Sequence, residues 1–317
     1  MVRLTDDTQP GITRRKHGRY WQYFEAGGSR IANRAEIDRL NAIGMPPAYR
    51  DCWFCPDPEG HIQAVGYDDK GRKQYRYHPD YRARREKKKY RRLADFAAAL
   101  PKLRRQVEAD LKGKATDCAT VIAAIVRLID ESYMRVGNED YARANKSFGA
   151  TTLRNRHATV VGGTIRIRFP GKHGIVQDME VADRRLARIA AKTRALPGQH
   201  LFEFLDEDDS PCPVRSEDVN AYIRDAAGGD FTAKDFRTWG ASVIAFAALA
   251  TSAKDVKGMI EPVAEALGNT PAIARKSYVH PALVDAAKNG ANEIDPLPRA
   301  TRYLSRAERG LIDFLEG

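Results

Sequence analysis

The sequence predicts an α+β protein, a small β-rich N-terminal domain joined to a larger, mainly α-helical domain containing a three-stranded β-meander. Three observations predict it. Hydrophobic periodicity changes near residue 93, from short alternating runs to alanine-rich stretches with a 3.6-residue period. The net charge of +11 is concentrated before that point, where residues 1–92 hold 21 Lys+Arg against 12 Asp+Glu. Within the helical part, three alternating runs between residues 157 and 181 are separated by turns rich in Gly and Pro. At 317 residues and 43% hydrophobic, both parts can bury cores.

Taken in order, residues 1–18 show no periodic pattern around Arg14-Arg15-Lys16 and read as a flexible basic arm. The β-rich domain spans 19–80. Tyr20 to Tyr23 is a short strand, and Ala35 to Ile43 a helix with Ile37, Leu40 and Ile43 on one face. After the Met45-Pro46-Pro47 break, strands are expected at Asp51–Cys55, at Ile62–Tyr67 and, beyond the Asp68-Asp69-Lys70-Gly71 turn, at Arg72–Tyr77. Residues 81–92, dominated by Arg and Lys, form a solvated linker helix. Helices follow in the 93–317 domain at Leu93–Leu111, interrupted at Pro101, and at Thr116–Tyr133. The meander comes next, and then helices at 183–195, 216–227, 233–250, 255–267 and 271–278, with an acidic loop at Asp206–Pro213. The tail from Asn292 to Gly317 carries Pro296 and Pro298 ahead of a short amphipathic helix that could pack on the core or hang free.

Composition narrows the partner. No run approaches the ~20 apolar residues of a membrane span and no signal-peptide core is present, so a soluble, cytoplasmic protein is expected. Concentrated positive charge suits a polyanion, and without a basic amphipathic helix nucleic acid is favoured over a membrane surface. Of four cysteines only Cys52 and Cys55 form a Cys-x-x-Cys pair; a structural zinc needs two such pairs, so two reduced cysteines in or beside a strand are expected, and no metal.

Along Arg72–Tyr77, cationic and aromatic residues alternate. Lys73, Tyr75 and Tyr77 share one face, with Arg72, Gln74 and Arg76 on the other. Both faces could contact phosphates or bases, although an ordinary edge strand would read the same way. Arg135 follows a buried helix, Lys172 lies in a turn of the meander, and Lys234 and Arg237 share a face at a helix start. Gly268 reads as a helix stop and Thr270-Pro271 as the cap and first residue of a helix ending at Tyr278. Each has a bland reading. Together they suit one chemistry, attack of a hydroxyl on a phosphodiester. That reaction needs guanidiniums for the charge gathering on the non-bridging oxygens and a general acid for the leaving oxygen. A tyrosine nucleophile, with a free pKa of ~10, needs neighbouring cations to favour its phenolate.

At these residues the chain resembles the type IB DNA topoisomerases, in their small poxvirus-type and bacterial branch. The resemblance is carried by Met134-Arg-Val-Gly-Asn-Glu-Asp-Tyr141, Gly171-Lys172, Lys234-Asp-Phe-Arg-Thr-Trp-Gly240 and Leu267-Gly-Asn-Thr-Pro271 through Arg275-Lys-Ser-Tyr278. Gly44-Met-Pro-Pro-Ala-Tyr49 and Asp69 to Tyr77 extend it, so it covers roughly residues 20–285 in order. It implies a tyrosine recombinase-like catalytic core. Tyr278 would form a 3′-phosphotyrosyl link, Arg135 and Arg237 would clamp the transition state, and Lys172 would protonate the 5′ oxygen. Lys73, Gln74, Tyr75, Tyr77, Tyr141 and Lys234 would contact DNA. It further implies strand swivelling without ATP or metal, and a nucleoid-associated monomer clamping double-stranded DNA. Asn269 stands where many relatives have histidine; its amide can still donate a hydrogen bond to a phosphate oxygen but brings no charge. Alternatives are a tyrosine site-specific recombinase, against which the β-rich N-terminal domain argues, and a catalytically silent DNA-binding protein of the same fold.

Overall fold

The computed structural model describes residues 1–253, 255–290 and 297–316, and the chain divides into two compact units, 1–90 and 91–317. In the first, β1 (Ile12–His17), β2 (Tyr20–Phe24), β3 (Arg50–Phe54), β4 (Ile62–Tyr67) and β5 (Lys73–Tyr77) form one antiparallel sheet in the order β2-β1-β3-β4-β5. Helix α1 (Arg34–Ala42) starts at Asn33, whose side chain accepts from the Glu36 N–H. Ile12, Tyr23, Leu40 and Phe54 are buried between helix and sheet. The expected arm at 1–18 is therefore corrected. Ile12 is a core residue, and β1 pairs with β2 on one side and β3 on the other, so its basic residues lie on a strand within the sheet. Cys52 and Cys55 are buried and free; no group of three or more His, Cys, Asp or Glu suited to a metal occurs among the described residues.

Helix α2 (Pro79–Asp110) is one continuous element where a linker helix, a second helix and an interruption at Pro101 were expected. Leu100 and Leu103, on either side of the proline, are both fully buried, and packing of that face outweighs the lost backbone hydrogen bond. In the second unit, α3 (Cys118–Ser132) is apolar almost all round and packs against α5 (Arg184–Thr193), α6 (Ser216–Ala227) and α7 (Ala233–Thr251). Between them come α4 (Glu139–Asn145) and the antiparallel meander β6 (Ala158–Val161), β7 (Thr164–Pro170) and β8 (Val176–Ala182).

The expected acidic loop is instead the tip of a hairpin of β9 (Glu203–Leu205) and β10 (Pro211–Pro213), folded back because the Asp206 carboxylate accepts from the Asp208 and Ser210 N–H groups. Helices α8 (Val256–Leu267), α9 (Pro271–Ser277) and α10 (Pro281–Lys288) complete the region of the site. Of the C-terminal tail, Pro296 and its neighbours back to 291 lie outside the described residues. Helix α11 (Arg306–Glu316) packs on α7 and buries Leu311. Glu308 of α11 accepts from Trp239 Nε1 at 3.0 Å and pairs with Arg104 at 2.7 Å, and Arg104 also holds Asp130 of α3. No helix among the described residues is long and apolar enough to cross a membrane.

Candidate active site

Three local devices bring distant parts of the second unit to one cleft of about 390 Å³, lined by Arg135, Lys172, Lys234, Arg237 and Tyr278 together with Tyr141. The first is the loop after α3. Tyr133 ends that helix in the left-handed conformation, and its ring lies against Gly240 of α7, where an added Cβ would stand 2.3 Å from the ring. The Arg135 and Val136 carbonyls then accept from the Ala150 and Thr151 N–H groups at 2.8 and 2.7 Å. This close approach requires glycines: a Cβ on Gly149 would stand 2.6 Å from the Arg135 carbonyl, and Gly137 has φ +102°.

The second device is the start of α7. Arg237 is only 4% exposed, and its guanidinium donates to the Tyr133 carbonyl at 2.6 Å and to the Leu267 carbonyl. It thereby bridges the C-terminal ends of α3 and α8. Third is the turn into α9. Gly268 caps α8 at φ +56°, Thr270 accepts from the Ile273 N–H, and Pro271 opens α9. Tyr278 stands at the far end of α9. Ser242 of α7 accepts from the His280 N–H at 3.1 Å and lies 3.4 Å from the Tyr278 carbonyl oxygen, so the backbone around the tyrosine is tied to the helix that carries Arg237.

The Arg237 guanidinium carbon lies 5.2 Å from the centre of the Tyr278 ring. Burial pushes the tyrosine's pKa up, but the charge and hydrogen bonding of Arg237, followed by the charges of Arg135 and Lys234, outweigh it and hold the phenol below its ordinary value of 10. Burial, reinforced by the charge of Arg135, lowers Arg237 to about 10. Asn269 does not line the cleft but accepts from Arg135 Nη2 at 3.1 Å. Because a guanidinium can only donate, this bond orients the amide and leaves its N–H₂ group free. Asn269 Nδ2 and Arg237 Nε are both buried without a partner among the described residues. Buried donors are ordinarily paired, so two orphans, one on the arginine beside Tyr278 and one on the amide bonded to Arg135, mark a place for an acceptor, such as an oxyanion.

Lys172 lies in the turn between β7 and β8. It is exposed, with no hydrogen bond or ion pair among the described residues. Of the expected DNA contacts, Tyr141 (α4) and Lys234 (first turn of α7) line the cleft. Lys73, Gln74, Tyr75 and Tyr77 lie on β5, an edge strand of the first unit. There Tyr75 and Tyr77 stack at 5.8 Å, Lys73 pairs with Asp7, and Gln74 donates to Asp68 at 3.1 Å. Sequence reasoning missed the residues that support the site, namely Tyr133, Gly149 and Gly240 around the arginines and Ser242 behind the backbone of Tyr278. Gly240, a glycine inside a helix, was the one visible signal.

Comparison with known proteins defines the class first. The family model of the eukaryotic DNA topoisomerase I catalytic core matches residues 78–291, and that of the bacterial DNA topoisomerase IB N-terminal domain matches 20–68. The DNA topoisomerase 1B of Acanthamoeba polyphaga mimivirus is 34% identical over 285 residues, 85% of each chain. That of Vaccinia virus (strain Copenhagen) is 24% identical over 245 residues, 75% of this chain and 76% of its own. Among solved structures, a XerH site-specific recombinase bound to its difH substrate covers 57% of this chain and 49% of its own, at 17% identity and a TM-score of 0.38. The chain belongs to the type IB DNA topoisomerases.

Proposed function

We propose that the protein relaxes supercoiled double-stranded DNA by reversible transesterification at Tyr278. The Tyr278 oxygen attacks a backbone phosphorus as its phenolic proton passes to solvent. The bond from phosphorus to the 5′ oxygen breaks, its electron pair stays on that oxygen, and Lys172 supplies the proton. Arg135, Arg237 and the Asn269 amide donate to the non-bridging oxygens as charge gathers there. The 3′-phosphotyrosyl link conserves the energy of the broken bond, so swivelling and religation need no ATP, and side-chain cations serve where a metal otherwise could. Tyr141 and Lys234 contact DNA at the cleft, and the β5 residues Lys73, Gln74, Tyr75 and Tyr77 contact it from the first unit.

The observation that carries this reading is the buried, unpartnered Nε of Arg237 beside a tyrosine whose pKa Arg237 holds down, together with the buried, unpartnered Nδ2 of Asn269, whose amide is bonded to Arg135 of the same cleft. All five catalytic groups come from one chain, which supports action as a monomer wherever the cell's DNA lies. The test is relaxation of a supercoiled plasmid in EDTA without ATP, with covalent trapping of the protein on DNA. Relaxation by the parent at a rate linear in protein concentration, and loss of both relaxation and adduct in Tyr278→Phe, is the expected result. Activity only on paired specific sites would overturn general relaxation as the activity, and an active Tyr278→Phe would sink the mechanism.

A further inference from the structure

We propose that Gln177 is a positioning residue that couples the Lys172 hairpin to the Gly268–Asn269 turn, so that the proton donor and the phosphate-binding groups are presented together. The proposal rests on the transesterification reading above. Gln177 is the second residue of β8, opposite Phe169 of β7. Its side chain covers two glycines from different parts of the chain. A Cβ on Gly171 would stand 3.0 Å from Gln177 Cγ, and one on Gly268 would stand 2.2 Å from Nε2 and 2.7 Å from Oε1. Gly171 directly precedes Lys172, and Gly268 directly precedes Asn269.

The stem of the glutamine therefore rests on the base of the hairpin turn while its amide lies over the cap of α8. Neither glycine could carry a side chain without displacing it. Gly268 is constrained twice, since its φ of +56° already disfavours other residues. Elsewhere the hairpin base is held by the strand ladder and by the Phe148 N–H, which donates to the Pro170 carbonyl at 2.9 Å. Lys172 itself is exposed and without a hydrogen bond or ion pair among the described residues, so its place relative to Asn269 depends on contacts at the base. The Gln177 side chain makes that contact directly with the segment leading to Asn269 and Tyr278.

A role through Lys172 can be separated from a general structural role by changing the leaving atom. A nicked duplex whose scissile 5′ oxygen is replaced by sulfur expels a thiolate, which leaves without being protonated, so the contribution of the general acid disappears. Single-turnover cleavage of the oxygen and sulfur duplexes is measured for the parent, Lys172→Ala and Gln177→Ala. Gln177→Ala should slow cleavage of the oxygen duplex roughly ten-fold, as expected for a misplaced acid, while the sulfur duplex is cleaved at close to the parent rate. Lys172→Ala should show the same pattern more strongly. Equal slowing of both duplexes by Gln177→Ala, or no slowing of either, overturns the proposal. Should Gln177→Ala fail to fold, Gln177→Met, which keeps length and loses the amide, is read by the same two rates. A Lys172→Ala protein that sulfur does not rescue removes the acid that Gln177 is said to place. A parent that cleaves neither duplex overturns the transesterification reading itself.

Discussion

The two sides of the cleft are held in opposite ways. On one side Arg237 is 4% exposed and tied to two backbone carbonyls, Arg135 is bonded to Asn269, and Ser242 fastens the backbone around Tyr278. On the other, Lys172 stands exposed on a turn. The difference follows from what each side would do. Donors that stabilise charge on a phosphate act best when already in place, because they then cost no reorganisation at the moment of reaction. A proton donor must carry its proton when cleavage begins, and sealing an ammonium away from water would favour its neutral form. Burial therefore suits the arginines and exposure the lysine.

Substitutions should break the two sides differently. The largest effect after loss of the tyrosine itself is expected for Arg237→Ala, with single-turnover cleavage slowed by about 10³-fold. Because the Tyr133 and Leu267 carbonyls would lose their shared donor, stability should fall too, by about 1–3 kcal/mol in urea unfolding. Arg237→Lys should recover little, since one ammonium cannot reproduce a fork reaching two carbonyls and a phosphate. Lys172→Ala should slow cleavage by about 10²-fold with an unchanged unfolding curve. Unfolding curves altered equally by both changes would erase the contrast between the sides.

Asn269→Ala comes next. It removes one neutral donor among several cationic ones, so a slowing of about 10²-fold at most is expected on a nicked suicide duplex. An unchanged rate would take Asn269 out of the site. The pH dependence sharpens the same side. The charge and hydrogen bonding of Arg237, then the charges of Arg135 and Lys234, hold Tyr278 below its ordinary value of 10 against the effect of burial. On the sulfur duplex, where Lys172 no longer contributes, cleavage should rise with pH as the phenol ionises, with a midpoint below 10. A midpoint above 10 would mean that the arginines do not favour the phenolate.

Local chemistry was legible in the sequence, and long-range pairing was not. The stop at Gly268 and the Thr270-Pro271 start of α9 could be read because caps depend on a few adjacent residues. Strand β1 could not, since its basic residues resemble an arm and its partners lie up to about forty residues away. Pro101 misled for a similar reason, the burial of Leu100 and Leu103 being a property of the packed core. In the site, the residue types that suit phosphate chemistry stood out, but their supports did not. A carbonyl such as that of Leu267 has no sequence signature, and the Arg135–Asn269 bond joins residues 134 positions apart.

The smallest effect separates the two sides by pH alone. His157 lies behind the lysine side, with its ring 4.5 Å from Phe148, which lines the cleft, and 6.3 Å from Phe169 of β7. Its Nδ1 accepts from the Arg154 N–H at 3.1 Å, which requires that nitrogen to be unprotonated. Burial, then the charges of Arg156 and Arg154, lowers its pKa from 6.5 to about 4. A group whose folded pKa is depressed contributes stability that is present above the unfolded value and is lost as pH falls. Between pH 6.5 and about 4 the unfolded state binds the extra proton, so acid should loosen the packing under the hairpin. Hydrogen exchange across this window, corrected for the intrinsic pH dependence of amide exchange, should show protection falling in β6–β8 before it falls in α7. Equal loss in both would mean that His157 does not hold the lysine side apart from the arginine side.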